Sequence, residues 1–303
     1  MQIIRAREMG MCFGVRDALA LAHGIDSPHD IAIHGELVHN ELVLVELAER
    51  GFRTTPETDR DGLPETSEIL VTAHGISDRE RGRLEAAGKR LIDTTCPLVR
   101  RAHHAAHTLA ADNFHVLVIG RPGHVEVRGI VEDLPSHDVL ASVDDVRTWD
   151  RSQLGIVCQT TTPPRLAAAI HEAVRERNPH AEIRFVDTVC HPTRDRQHAV
   201  EELCERVDLV VVVGGSNSNN TRQLVESCRE RGTRAVQVQS AEQLDPKWFS
   251  GCRTVGLTAG TSTLDETVDQ VEAALIELND ARRRESSCFQ RIENVSSLVT
   301  RHS

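Results

Sequence analysis

Three cysteines recur at nearly one-third intervals along the chain of 303 residues, each between an extended apolar stretch and a helix-like one. Cys12, Cys96 and Cys190 are separated by 84 and 94 residues. Two of the local sequences nearly coincide, DTTC ending at Cys96 and DTVC ending at Cys190. Three thiolates from repeated units can converge on one metal centre and leave one coordination position free for chemistry.

The residues alone leave three interpretations of this cysteine set. The first is three buried structural thiols. The second is zinc, although structural zinc usually takes four ligands in closely spaced pairs, which this sequence lacks. The third is an iron–sulfur centre, favoured by an all-sulfur donor set and by the lowered thiol pKa expected at helix N-termini. Three cysteines on a [4Fe–4S] cluster would leave its fourth iron open as a Lewis acid. The remaining cysteines are interpreted as inert thiols: Cys158, Cys204, Cys228, Cys252 and Cys288.

Three histidines, His39, His74 and His124, each lie in a loop after a predicted strand. A single loop histidine is most often a solvated side chain. Three histidines from loops that face one pocket indicate a shared role, because imidazole donates hydrogen bonds to phosphate or carboxylate.

Hydroxyl and amide side chains precede several predicted helices: Thr160, Thr161, Ser218, Asn220 and Ser262. They either cap those helices or bind an anion there, since free N–H groups and the helix dipole favour phosphate. The run GGSNS at 214–218 resembles a phosphate-cradling loop, but no lysine follows, so it is not a P-loop. Glu126, two residues after His124, is either a solvent-facing acid at a helix start or a proton donor.

Short β-branched apolar runs, bounded by glycine or polar turns, predict buried parallel strands. The clearest runs are 31–33, 69–71, 116–119, 154–157, 209–213 and 255–257. Amphipathic helical segments alternate with them at 40–50, 163–177, 220–231 and 263–278. The fold class is therefore α/β, built from right-handed βαβ units.

Each third of the chain repeats a cysteine turn and two strands that end in polar loops. We expect three α/β units, 1–95, 96–189 and 190–278, around a pseudo-threefold axis. A polar C-terminal tail, 279–303, is expected to be a strap or loosely ordered. Because ligands gather at the carboxyl ends of parallel strands, the loops would enclose one central pocket with the cysteines.

Composition restricts the expected partners. The formal net charge is −11 and aromatic residues make up only 3%, which argues against nucleic acid. An anionic small molecule can still bind, because a local site can be positive on an acidic protein. No run approaches the roughly 18 apolar residues of a membrane helix, and the N-terminus lacks the apolar block of a secretory signal. We expect a cytoplasmic protein.

With these motifs in place, the chain resembles the 4-hydroxy-3-methylbut-2-enyl diphosphate reductases, the LytB/IspH family of the methylerythritol phosphate pathway of isoprenoid synthesis. The matching segments follow the family's order over about residues 1–275. They are MCFGV at 11–15, LVHN at 37–40, TAHGIS at 72–77, DTTCPLV at 93–99, GHVE at 123–126, QTT at 159–161, Cys190 with Arg196 and Gln197, GGSNS at 214–218, and TAGTS at 258–262.

The resemblance implies a trefoil of three α/β units around a central [4Fe–4S] cluster held by Cys12, Cys96 and Cys190. It implies that Glu126 and Thr160 are catalytic, with Thr160 near the substrate hydroxyl and helping to pass the proton from Glu126. The implied diphosphate-binding residues are His39, His74, His124, Ser218, Asn219, Asn220 and Ser262. In the implied reaction, two electrons and protons remove the hydroxyl as water. An allyl species is then protonated at either end, giving isopentenyl and dimethylallyl diphosphate. A ferredoxin or flavodoxin would supply the electrons.

Three positions depart from the family pattern. Asn219 stands where a second serine is common, Val125 replaces a common proline, and the segment 191–195 differs after the third cysteine. These departures leave open a specialised paralogue or an altered substrate preference.

Two alternative functions belong to different classes. One is an iron–sulfur dehydratase of the quinolinate synthase type, which needs no external electrons. The other is a cluster-bearing redox or iron sensor without turnover. Substrate-dependent oxidation of a reduced cluster distinguishes the reductase from both.

Overall fold

The computed structural model describes residues 1–57 and 60–299, with the backbone alone for residues 282, 283 and 285–299. The strands are β1 (Gln2–Arg5), β2 (Ile31–His34), β3 (Arg53–Thr55), β4 (Glu68–Val71), β5 (Arg90–Asp93), β6 (His115–Ile119), β7 (His137–Leu140), β8 (Gln153–Cys158), β9 (Glu182–Phe185), β10 (Leu209–Val213), β11 (Arg234–Val238) and β12 (Thr254–Ala259). The helices are α1 (Phe13–His23), α2 (Glu41–Glu49), α3 (Asp78–Ala86), α4 (Pro97–Ala111), α5 (Val125–Val131), α6 (Pro164–Arg177), α7 (His191–Cys204), α8 (Asn219–Glu230) and α9 (Asp265–Val299).

The strands form three four-stranded sheets in which every neighbouring pair is parallel. Their orders are β3-β2-β4-β5, β7-β6-β8-β9 and β11-β10-β12-β1. The same arrangement therefore occurs three times, with helices between the strands. This confirms the predicted α/β class and the trefoil of three related units.

The first strand of the chain fills the fourth place in the third sheet. β1 pairs with β12, with Gln2 opposite Thr254. In the other two sheets, that place belongs to β5 and β9, which lead into Cys96 and Cys190 as β1 leads towards Cys12. The boundaries drawn from the sequence put residues 1–95 in the first unit. β1 instead lies in the third sheet, because the strand before each cysteine completes the sheet of the preceding unit in cyclic order.

The central strands are buried on both faces. In β6, Leu117 and Ile119 pack in one hydrophobic cluster, whereas Val116 and Val118 pack in another. β10 divides between two clusters in the same alternating way. Two-sided burial explains the continuous apolar runs, and it sets the register that places the loops at the centre of the molecule.

Two features differ from the sequence-based expectations. The sequence did not predict β3, β7 and β11, which are edge strands with exposed or partly exposed residues. The last helix, α9, runs past the expected end at 278 to Val299, so the tail is helical as far as the described residues extend. Within the described part of the chain, no helix combines the length and the apolar character that crossing a membrane requires.

Candidate active site between the three units

Each of the three spaced cysteines occupies the same position in its unit, the N-cap of a helix. Cys12 precedes α1, Cys96 precedes α4 and Cys190 precedes α7. The backbone N–H group of each cysteine donates to a carbonyl oxygen in the loop after β12, β4 or β8, respectively. The acceptors are Thr261, Ala73 and Thr160, at 3.0, 3.1 and 3.0 Å. The three turns are therefore built alike, at the carboxyl ends of the sheets.

The thiols of these cysteines differ from the others in exposure. Cys12, Cys96 and Cys190 are free and partly exposed. The other cysteines with described side chains are buried: Cys158, Cys204, Cys228 and Cys252. Burial agrees with the interpretation of these cysteines as small buried side chains. Cys204 departs from the interpretation as an inert thiol, because its hydrogen bond with Cys228 lowers its pKa to about 7. Cys288 lies outside the described side chains.

The pKa values of two of these thiols are raised. Burial raises the pKa of Cys96, and it raises the pKa of Cys190 to about 11. The charge of Cys12 adds to both shifts, so its sulfur lies near both others. The lowered pKa expected at helix N-termini is therefore wrong for Cys96 and Cys190, because the loss of water outweighs the helix N–H groups. A metal centre would offset this penalty, because it binds the thiolate form.

The donor atoms of the three cysteines favour a cluster over a single ion. In the described part of the chain, the one group of three metal-binding side chains with ligand atoms within 4.8 Å of one another is Asp78, His107 and Asp133. The three cysteine sulfurs are not such a group, and they also lack the closely spaced fourth ligand that structural zinc usually takes. An all-sulfur tripod fits an iron–sulfur cluster.

The sulfur of Cys96 has room because residue 14 carries no side chain. A Cβ atom on Gly14 would lie 2.5 Å from the Cys96 sulfur. Gly14 is in the first turn of α1, two residues after Cys12, so two of the cysteine turns approach each other at this glycine. Any larger residue would push the Cys96 sulfur from its place.

The three predicted histidines form one contiguous cluster. The rings of His39 and His74 stack with their centroids 4.1 Å apart and 27° between their planes. His124 meets these two rings edge-on, at 5.2 and 5.8 Å between centroids. The loops after β2, β4 and β6 supply these rings, so the cluster lies between the first and second units.

Hydrogen bonds set which ring nitrogens can meet a ligand. Nδ1 of His39 donates to the Glu36 carboxylate at 2.7 Å, so Nε2 can donate to an anion only when the ring is protonated. Nε2 of His39 and Nδ1 of His74 are buried without a partner among the described residues. Nδ1 of His124 accepts from the backbone N–H of Glu126 at 3.1 Å, which puts the proton of the neutral ring on Nε2.

Two of the three histidines, His74 and His124, are held in their neutral form. Burial, followed by the charges of neighbouring rings, lowers the pKa of His74 well below its ordinary value. Burial likewise lowers the pKa of His124 to about 3. An anion in contact with these rings would reverse the effect, because it stabilises the imidazolium form.

Hydroxyl and amide side chains of the third unit complete the pocket. The Ser218 hydroxyl caps α8 by accepting a backbone N–H at 3.3 Å, so its own proton is free to donate. Oδ1 of Asn220 accepts a backbone N–H from the loop after β12 at 3.0 Å. Nδ2 of Asn220 is buried without a partner among the described residues. Ser262 donates to the His39 carbonyl at 3.0 Å, which ties the third unit to the first.

Asn219 lies at a departure from the family pattern, and its amide is already engaged. Nδ2 donates to Oγ1 of Thr161 at 2.9 Å, and Oδ1 accepts from Arg222 at 3.1 Å. Asn219 thus links the third unit to the second at the edge of the pocket.

Glu126 is the buried acid of the site. Its side chain is 1% exposed, and burial raises its pKa to about 7. The backbone N–H of Thr160 donates to one carboxyl oxygen at 2.6 Å, and the Thr160 hydroxyl donates to the other at 3.0 Å. The solvent-facing alternative for Glu126 is therefore excluded.

One cavity collects most of the candidate residues. Its lining includes Glu126 and all seven predicted diphosphate-binding residues: His39, His74, His124, Ser218, Asn219, Asn220 and Ser262. Thr160 reaches it through Glu126, and Thr161 lines it directly.

Sequence reasoning missed two contacts that orient the site. Glu36 fixes the ring of His39, and the Cys190 thiol donates to the Thr193 hydroxyl at 3.2 Å. The signals were the three-residue spacings from Glu36 to His39 and from Cys190 to Thr193, which bring side chains together within one turn.

Comparison with known proteins identifies relatives over nearly the whole chain. The family model described as LytB protein matches residues 3–276. The 4-hydroxy-3-methylbut-2-enyl diphosphate reductase of Geobacter sp. (strain M21) is 35% identical over 280 residues, covering 90% of this chain and 98% of the relative. That of Rhodococcus jostii (strain RHA1) is 36% identical over 268 residues, covering 86% of this chain and 79% of the relative.

Solved structures share the fold. The E-1-hydroxy-2-methyl-but-2-enyl-4-diphosphate reductase from Plasmodium falciparum matches with a TM-score of 0.80 at 27% identity, over 88% of this chain and 86% of that one. An (E)-4-hydroxy-3-methyl-but-2-enyl diphosphate reductase, described as the terminal enzyme of the non-mevalonate pathway, matches with a TM-score of 0.62. Its identity is 28%, over 91% of this chain and 100% of that one.

Proposed function

The chain belongs to the LytB protein family, and we propose that it reduces 4-hydroxy-3-methylbut-2-enyl diphosphate to isopentenyl and dimethylallyl diphosphate. It is an enzyme, a reductase of the non-mevalonate pathway. The observation that carries the proposal is the meeting of three unlike groups at the centre of the molecule. They are a cysteine tripod, a cluster of three histidine rings and a buried glutamate with a pKa of about 7.

The cysteine tripod fits a [4Fe–4S] cluster held by Cys12, Cys96 and Cys190. When bound, such a cluster would supply electrons one at a time and an open iron that acts as a Lewis acid. The supporting observations are three free thiols at equivalent helix starts and the space that Gly14 leaves for the Cys96 sulfur. The electron donor would be a ferredoxin or a flavodoxin.

The diphosphate is held by the histidine cluster and by the donors of the third unit. His39 and His74 each have a buried ring nitrogen without a hydrogen-bond partner among the described residues. The amide nitrogen of Asn220 is also buried without such a partner. Ser218 adds a hydroxyl proton, and the start of α8 adds backbone N–H groups and the favourable end of the helix dipole. Unsatisfied buried polar atoms cost about 1–3 kcal/mol each, so a phosphate that pairs with them stabilises the folded site.

Glu126 provides the proton for the leaving hydroxyl. The overall change breaks one C–O bond, forms one C–H bond and releases water, with the uptake of two electrons and two protons. Because its pKa is about 7, Glu126 carries a proton in a large fraction of molecules at neutral pH. Thr160 bonds both carboxyl oxygens and so holds the acid in one orientation, while its hydroxyl can pass the proton on.

An anaerobic assay tests the proposed function. The protein, loaded with iron and sulfide and reduced with dithionite, is mixed with 4-hydroxy-3-methylbut-2-enyl diphosphate. We expect oxidation of the reduced chromophore with formation of the two isoprenoid diphosphates. A reduced chromophore that persists in the presence of substrate, with no product, would overturn the proposal in favour of a dehydratase or a sensor.

A further inference from the structure

Arg196 breaks the threefold repetition of the core. It stands six residues after Cys190, on α7. The corresponding positions after Cys12 and Cys96 are Ala18 and Ala102, which are 1% and 0% exposed. Arg196 is itself only 6% exposed. A guanidinium group is therefore buried where the other two units bury a methyl group.

The contacts of Arg196 join two of the cysteine turns. Its Nε and Nη2 donate to the Gly10 carbonyl at 3.0 and 2.7 Å, and Nη1 donates to the Pro192 carbonyl at 3.0 Å. Gly10 precedes Cys12 by two residues, and Pro192 follows Cys190 by two. The Arg196 side chain thus links the Cys12 turn to the Cys190 turn.

The charge of Arg196 is not matched by a carboxylate. Over the described residues, no Asp or Glu oxygen lies within 4.0 Å of its guanidinium, whereas Arg194 on the same helix pairs with Asp187. Burial lowers the pKa of Arg196, and the groups that favour its charged form are, in order, Cys12, Cys190, Glu8 and Asp195. As thiolates, the form that a metal centre binds, the two cysteines stabilise this charge more than either acid does.

An unpaired buried charge carries a penalty of several kcal/mol, and main-chain carbonyls compensate only part of it. The alanines at the equivalent positions show that the helix packing itself does not require a long side chain. Thiolate sulfurs of a bound metal centre would supply the remaining compensation. A cation fixed beside them stabilises whichever state of the bound group is the more negative, and reduction adds negative charge.

We propose that Arg196 is a positioning residue that holds the Cys12 and Cys190 turns together and, through its fixed charge, raises the reduction potential of the bound cluster. The inference rests on the proposed function, because it requires the cluster.

The test compares Arg196→Gln, Arg196→Lys and wild type by iron content and by mediator titration of the chromophore. The Gln variant retains a hydrogen-bond donor but loses the charge. We expect its equilibrium constant for one-electron reduction to fall at least tenfold, a shift of about 59 mV to lower potential. The Lys variant keeps the charge, and we expect it to stay within threefold of wild type. Arg206→Gln, at an exposed position just after α7, is the matched control and should leave the constant unchanged.

Each alternative outcome overturns the inference. A Gln variant with wild-type potential removes the electrostatic role, and equal shifts in the Gln and Lys variants show that only shape matters. If the Gln variant holds no iron, the Lys variant becomes the deciding test. The Lys variant must then bind iron and show a reduction potential near that of wild type. Loss of iron in the Lys variant as well would reject the role of charge. If wild-type protein binds no cluster, the proposed function itself is rejected. If wild-type protein binds the cluster and only the Arg196 variants behave unexpectedly, the role of Arg196 is rejected and the proposed function stands.

Discussion

At the scale of single residues, burial decides what the proton-carrying groups of the site can do. Glu126 is almost fully covered, and its pKa of about 7 follows from the loss of water around the carboxyl group. From the sequence alone, Glu126 is as readily interpreted as a solvent-facing acid as a proton donor. A glutamate in the first turn of a helix looks the same in sequence whether or not another segment covers it. Here the loop after β8 covers it, 34 residues away along the chain.

Replacing Glu126 with Gln tests its role as proton donor. We expect turnover to fall by about 10²–10⁴-fold, the usual contribution of general acid catalysis. Iron content should stay at the wild-type level, because Gln preserves shape and can accept the Thr160 N–H bond. Glu172→Gln, at an exposed position on α6, is the control. Full turnover in the Glu126 variant would reject the assignment.

The raised pKa of Glu126 also predicts how stability depends on pH. Between the ordinary value of 4.5 and about 7, the unfolded state loses this proton while the folded state keeps it. The unfolded state then binds fewer protons, so stability falls as pH rises through this interval. Urea unfolding at pH 5, 6 and 7.5 should show a smaller decline for Glu126→Gln than for wild type. Parallel declines in the two proteins would contradict the raised pKa.

The hydrogen bonding of His39 and the lowered pKa of His74 predict proton uptake on anion binding. His39 needs a proton on Nε2 to donate to phosphate, since its Nδ1 is bound to Glu36, and the pKa of His74 starts well below its ordinary value. Calorimetry with inorganic diphosphate, in two buffers of different ionisation enthalpy, should show net proton uptake. We expect His74→Ala to bind at least tenfold more weakly and His104→Ala, at an exposed position, to bind normally. Unchanged affinity in His74→Ala would place the diphosphate elsewhere.

At the scale of secondary-structure elements, the sequence predicted the buried central strands and missed the partly exposed edge strands. Strands β6 and β10 are continuous β-branched runs because helices cover both of their faces. β7 and β11 lie at sheet edges, so their exposed positions carry polar residues and the apolar signal disappears. The helix starts at Cys12, Cys96 and Cys190 were predictable, because each follows an extended apolar stretch.

The approach of two such helix starts makes Gly14 a sensitive position. Gly14→Ala would place a Cβ atom 2.5 Å from the Cys96 sulfur, and the shift needed to relieve this should cost about 1–3 kcal/mol. We expect lower iron content and a lower unfolding temperature. Gly82→Ala is the control, since a Cβ atom in that part of α3 meets nothing within 4 Å and should be neutral or stabilising. Iron content equal in the two variants would show that the Cys96 sulfur adjusts freely.

At the scale of the whole molecule, the repeat of three units follows from the cysteine spacing, but the identity of the fourth strand in the third sheet does not. β1 shows only a short apolar stretch, and nothing in it specifies a partner about 250 residues away. The pairing of β1 with β12 can be recognised only when the three sheets are compared, because without β1 the third sheet would lack its fourth strand. The cysteine spacing therefore predicts the threefold repeat, whereas the pairing of β1 with β12 depends on the tertiary structure.

Weakening β1 should therefore affect both stability and metal binding. Ile4 lies opposite Gly256 and packs against the core of the third unit. Ile4→Asn should reduce the free energy of unfolding by about 1–3 kcal/mol and lower the iron content, since β1 leads towards Cys12. Leu21→Asn changes an exposed leucine of α1 and should stay within about 0.5 kcal/mol. Thermal unfolding and iron analysis measure the two effects. Normal iron content in a destabilised Ile4 variant would show that β1 does not influence metal binding by the cysteines.

The pairing of β1 with β12 has a consequence for how the enzyme matures in the cell. During translation, β1 leaves the ribosome well before β12, because about 250 residues separate the two paired strands. At roughly 5–20 residues per second, β1 waits on the order of tens of seconds before its partner strand is made. The proposed iron–sulfur cluster is accordingly expected to assemble after β12 has been made, since β1, which leads towards Cys12, can pair only then.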